Sequence, residues 1–215
     1  MCWNKEISLN TFLFSSFVLL LIIYNNEYTQ YKINELNNVW MYLFFVSFIL
    51  MQLIEYFIWK NIDNKFYNKI FTISAVLLLF LQPIATNMLI SDIILQRSLL
   101  FLYLVFAIPF IIYRIQTKNI NSSVSKLGHL QWNIIFDIKN NNIDKLLLIL
   151  WFIFFLFPLF YQRNPCGFLF GFITLSIITY NYYKDNTIGS MWCWVVNSIM
   201  IYYASYLLLY LPFYK

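Results

Sequence analysis

Charge is what this sequence has least of: only 11% of its 215 residues are Asp, Glu, Lys or Arg, about half of what a soluble domain carries. Water is therefore excluded as its main solvent. Histidine occurs once, as His129, which disfavours a His-rich zinc site and most histidine-based hydrolases. The three cysteines, Cys2, Cys166 and Cys193, are odd in number and far apart, with no CxxC, so neither a disulfide framework nor a metal knuckle is indicated. With four glycines there is no phosphate loop, dinucleotide fingerprint or nucleophile elbow. No lysine stands in a late apolar run to form a Schiff base with retinal. The expectation is no metal and no cofactor, and an enzyme is disfavoured.

What is present is apolar: 61% of the chain is hydrophobic and 22% aromatic. The runs reach or approach the roughly 20 residues that cross a bilayer, and they are too many to form the core of one soluble domain of this size. The reading is all-α: a single transmembrane domain over 1–215, a polytopic helical bundle of seven spans. These lie at about 8–24, 39–59, 70–90, 93–113, 145–161, 166–183 and 189–212, with the loop 114–144 between the fourth and fifth. The first run has no small-x-small cleavage site before Asn25 and is read as a span. Within the long loop, Leu130 to Ile138 is too short to cross and is expected as a brief interfacial helix.

Seven spans alternate the sides of the connections. One side collects Lys5, Lys60, Lys65, Lys69, Arg114, Lys118, Lys126, Lys139, Lys145 and Lys184; the other has Lys32, Arg97, Arg163 and Lys215. Ten against four places the N-terminus in the cytosol and the C-terminus outside or in a lumen. The 14 basic residues are dispersed and make no nucleic-acid patch. The bilayer is thus the expected partner, together with an unidentified small solute or cation.

The polar residues inside the spans are the candidates for function. Gln52, Glu55, Tyr56 and Trp59 share a helix face, and a carboxylate within a span is expensive enough to be kept for a reason. At 1.5 Å per residue Glu55 falls roughly 9 Å from the middle of its span, so it either lines a cavity or reaches the headgroups beside Lys60 or Lys69. Pro83 removes a helical hydrogen bond beside Gln82. Asn197 and Ser74 fall on the same side of the midplane as Glu55. Glu55, Gln52, Gln82, Asn197 and Ser74 are therefore the expected substrate- or ion-binding set, around a vestibule open to the cytosol. Cys2 and Trp3, with Trp192, Cys193 and Trp194, are the expected gate or lid, because Met-Cys-Trp and Trp-Cys-Trp fall on one side of the membrane.

Met1-Cys-Trp-Asn4, the Gln52-to-Trp59 stretch, Gln82-Pro83 and Gly189-Ser-Met-Trp-Cys-Trp194 together resemble an uncharacterised family of small integral membrane proteins from large DNA viruses and microbial eukaryotes. The resemblance implies a multi-pass fold and no particular activity. Sugar transporters of the three-one-three type share the seven-span layout but carry a Pro-Gln pair in each repeat, whereas this chain has Gln82-Pro83 once. The leading expectation is binding or transport of a small polar solute or cation. Its rival is a non-catalytic membrane-organising or assembly protein, and third comes a lipid-modifying enzyme. A cavity lined by Glu55 and by Gln82 or Asn197 speaks for the first; close pairing of those side chains without a cavity speaks for the second. Protease-accessible tags at the two termini are expected on opposite sides of the membrane, and finding both on one side would overturn an odd number of spans.

Overall fold

The structure, a computed structural model, describes residues 4–117, 120–132, 142–162 and 165–214. Four long helices come first: α1 (Lys5–Tyr28), α2 (Val39–Lys60), α3 (Lys65–Asn87) and α4 (Ile93–Thr117). A two-stranded hairpin follows, β1 (Ser122–Val124) and β2 (Leu130–Trp132), and then α5 (Asn142–Tyr161), α6 (Pro165–Tyr182), α7 (Ile188–Asn197), α8 (Ile199–Ser205), a π turn (Tyr206–Tyr210) and α9 (Leu211–Tyr214).

Side-chain oxygens cap the early helices. Asn4, Asn38 and Asn64 accept from the first-turn amides of α1, α2 and α3, at 2.9 Å from Ile7 N, 2.8 Å from Trp40 N and 3.2 Å from Phe66 N. Asp92 does the same for α4, 2.9 Å from Ile94 N. Each cap satisfies a donor that the helix cannot, worth about 1 kcal/mol.

Among the described residues six helical stretches are long and apolar enough to cross a membrane: α1 to α5, and Ile188–Phe213, which runs from α7 into α9. The 18-residue α6 is not among the six. The outer faces of these helices and of α6 carry large apolar side chains, as at Phe17 and Leu20 on α1, Ile94 and Phe101 on α4, and Phe172 and Ile177 on α6. Such faces suit hydrocarbon. The interior is aromatic: Phe155 stacks on Trp151 with centroids 5.2 Å apart, and the Trp192 ring stands edge-on to Phe155 and Phe48 at 5.6 and 5.9 Å.

Three expectations change on this frame. Leu130–Trp132 is a strand paired with β1, Val124 opposite Leu130 and Ser122 opposite Trp132, instead of the start of an interfacial helix; residues 133–138 lie outside the described residues. The reason is a turn. Gly128 adopts φ +78°, Gly128 N donates to Ser125 O at 2.9 Å, and Ser125 N donates to His129 O at 2.8 Å, which closes a hairpin around the left-handed glycine. Secondly, the last span, continuous from Ile188 to Phe213, tightens at Ser198, whose N bonds three residues back to Val195 O at 2.9 Å while its hydroxyl bonds the same carbonyl at 2.5 Å, a local bond that competes with the regular ladder. Thirdly, the fifth span begins before Lys145, because Asp144 is drawn inward.

Asp144 forms a buried ion pair with Arg114, which also lies over the Phe110 ring at 5.0 Å. The pair closes the ends of α4 and α5 across the long connection. The hairpin inside that connection is clamped to α3: the Asn68 amide donates to Ser122 O at 3.0 Å, its oxygen accepts from Ser122 N at 2.7 Å, and Thr72 Oγ1 meets Ser122 Oγ at 2.7 Å. A side-chain amide thus pairs with the backbone as another strand would. His129, buried on the hairpin with its ring edge-on to Tyr182, has its pKa lowered by that burial, with the charge of Asp185 acting in the opposite direction.

Removing one member of a buried pair strands the other. Asp144→Ala is expected to cost about 3 to 5 kcal/mol, while Arg114→Met with Asp144→Leu recovers most of that loss. Thermal unfolding of the detergent-purified protein checks both.

Candidate functional site

Helices α2, α3 and α7 bring polar side chains together where their apolar faces otherwise meet. Gln52 and Glu55 lie one turn apart on α2, Gln82 precedes Pro83 on α3, and Cys193 and Asn197 lie one turn apart on α7. All five are buried, Glu55 at 0% exposure and Asn197 the most exposed at 3%. Gln52 Nε2 donates to Glu55 Oε2 at 3.1 Å. Gln82 Nε2 points at Cys193 Sγ at 3.8 Å, and Asn197 Nδ2 donates both to Cys193 O at 2.7 Å and across to Phe48 O on α2 at 3.2 Å. Glu55 lies within electrostatic range of the Cys193 thiol.

Glu55 is thus buried inside the bundle. Lys60 and Lys69 are exposed, whereas the carboxylate is enclosed between helices. Gln82 Oε1 and Asn197 Oδ1 have no hydrogen-bond partner among the described residues. Two buried acceptors left unpaired cost about 1 to 3 kcal/mol each. The cluster therefore holds an excess of oxygen acceptors, the chemistry that favours a proton or a hard cation.

The other expected residues distribute differently. Ser74 is half-buried and bonds its own preceding turn, Oγ to Ile70 O at 3.1 Å, so it does not join the cluster. Trp192 belongs to the aromatic core, Trp194 is half-buried on another face of α7, and Cys193 between them enters the polar cluster itself. Cys2 and Trp3 lie outside the described residues. Among the described cavities none is lined by Glu55, Gln82 or Asn197. Among the described residues no three His, Cys, Asp or Glu side chains gather as a metal site would need.

Sequence reasoning missed Arg114 with Asp144, and Asn68 with Thr72. Asn68 and Thr72 carry a legible signal, two polar residues four apart at the start of an apolar run, which is one helix face. Arg114 and Asp144 carry none, because the partners are 30 residues apart.

Comparison with family models, with curated proteins and with solved structures finds no match for this chain. Its class rests on its own residues: an all-α, multi-pass membrane protein with a buried carboxylate among side-chain amides.

Asn197 joins α7 to α2 and Ser74 joins nothing beyond its own helix. Asn197→Ala is accordingly expected to lower stability by about 1 to 3 kcal/mol, and Ser74→Ala to leave it within about 0.5 kcal/mol, measured side by side by thermal unfolding in one detergent.

Proposed function

We propose that the protein crosses the membrane seven times, with α6 as the additional span and the N-terminus in the cytosol, and that it binds a proton or small cation at Glu55. The carrying observation is the fully buried Glu55 carboxylate, held by Gln52 where α2, α3 and α7 meet. An ionised group at that depth needs compensation, and intramembrane carboxylates serve most often in ion and proton pathways. Gln82 and Asn197 add buried neutral oxygens where the same three helices meet. Transport of the bound ion needs the helices to part, since the side chains are closely packed.

A second reading, that these groups only join helices in a membrane-organising protein, is favoured by one specific observation: the described cavities do not reach them. Glu55→Gln separates the two, because it keeps size and hydrogen-bonding capacity and removes the charge. In proteoliposomes under an imposed pH or cation gradient, wild type is expected to carry flux and Glu55→Gln to fall to the background of empty vesicles with unchanged melting. Equal flux in both removes Glu55 from the mechanism. Absence of flux in both, with a lowered melting temperature for the variant, favours the joining role.

A further inference from the structure

Away from Glu55, the hairpin and helices α5 and α7 enclose a cavity of about 30 Å³ lined by three tryptophans, Trp132, Trp151 and Trp192. Their exposures are 4%, 2% and 2%, and among the described residues none of the three indole N–H groups has a hydrogen-bond partner. Indole is a donor only, so the lining residues carry three buried donors against one buried acceptor, Asn186 Oδ1, which is likewise unpartnered among the described residues. No Lys, Arg, Asp or Glu lines the cavity.

The arrangement is built closely. A Cβ on Gly189 would lie 2.7 Å from Cζ3 of Trp132, so the glycine at the start of α7 is what lets that buried ring lie against the helix.

Two wall residues, Phe152 and Leu175, also line a second and larger space. This is an open apolar groove of about 470 Å³ between α5 and α6, bounded by side chains such as Ile153, Leu156, Phe157 and Phe172. From Ile149 to Phe160 its α5 wall runs about 16 Å at the helical rise. A donor-rich cavity thus adjoins a groove of hydrocarbon character.

From this juxtaposition we propose that the protein holds a single membrane lipid, its ester carbonyl in the tryptophan cavity and its acyl chain in the α5–α6 groove. The cavity size selects the group. A water needs on the order of 10 to 15 Å³ of such space, so 30 Å³ admits a carbonyl and excludes a whole headgroup. The uncharged wall selects a neutral acceptor over a phosphate, which would call for Lys or Arg. This site shares no residue with the Glu55 cluster and stands or falls separately from it.

The test uses the full chain in liposomes with a trace of ester-linked phosphatidylcholine carrying a photoactivatable diazirine on its acyl chain, with labelled peptides mapped by mass spectrometry. Label is expected to concentrate on α5 and α6, and unlabelled ester lipid to compete about fivefold better than its ether analogue, which lacks the carbonyl; that is the scale of one hydrogen bond. Trp151→Phe and Trp192→Phe, which keep a ring and remove a donor, are expected to weaken labelling similarly. Ser176→Trp, at an exposed position of the groove, should block labelling there without touching the tryptophans. Label spread evenly over all lipid-facing helices, equal competition by the ether lipid, or labelling indifferent to Ser176→Trp would each overturn the proposal.

Discussion

The constraint on which the structure depends is that polar groups in a hydrocarbon-like interior must be answered from within the chain. Here the answer is repeatedly a side-chain amide. Asn26 accepts from Ile33 N at 2.7 Å and donates to Tyr42 OH at 2.8 Å, which fixes the α1–α2 connection. Asn68 does the same for the hairpin, Asn87 reaches Pro83 O at 2.7 Å and Phe154 O at 3.4 Å, and Gln96 takes the carbonyls of Met88 and Ile90 after α3. An amide offers a donor and an acceptor at once with no net charge. It satisfies backbone groups at turns and helix ends without the desolvation cost of an ion.

Seen this way, Glu55 is the exception that the amide pattern brings out. Gln52, Gln82 and Asn197 are of the same kind as the staples elsewhere, and Asn197 to Phe48 O is a staple in its own right. Only the carboxylate asks for more than structure requires, since a glutamine in its place would meet Gln52 equally well. The other buried carboxylate, Asp144, has its countercharge in Arg114. Two buried acids are thus treated differently, Asp144 paired with an arginine and Glu55 hydrogen-bonded by the Gln52 amide.

Much of the frame was legible in the sequence because hydrophobic run length is a local property. The first four helices fall within a few residues of the expected spans, and α2 matches its expected start at Val39. That Gln52 and Glu55 share one face of α2 was legible too, from their spacing, and the two meet at 3.1 Å. The hairpin was not, although Gly128 between Ser122–Val124 and Leu130–Trp132 is a turn signal; the apolar residues from Leu130 on read as a short interfacial helix. Nor was the work of asparagine. Of the asparagines only Asn197 stood out in the sequence, whereas the structure places Asn4, Asn38 and Asn64 as caps and Asn26 and Asn68 as clamps. Their meaning is positional: the same residue counts for little on an exposed turn and for a great deal one turn inside a helix.

The position of α7 shows how local and distant constraints meet. Successive residues on a helix point about 100° apart, so Trp192 enters the aromatic core while Cys193 turns to Gln82 and Glu55. Holding both directions requires the helix to be fixed in rotation as well as in place. Its beginning is fixed by Gly189 against the Trp132 ring, and its end by the Asn197 amide on Phe48 O. One of these contacts is steric and the other is a hydrogen bond, and they lie eight residues apart, about two helical turns. Beyond Asn197 the ladder tightens at Ser198 and the helix continues to Phe213. Its doubly anchored first half carries side chains to both the carboxylate cluster and the tryptophan cavity.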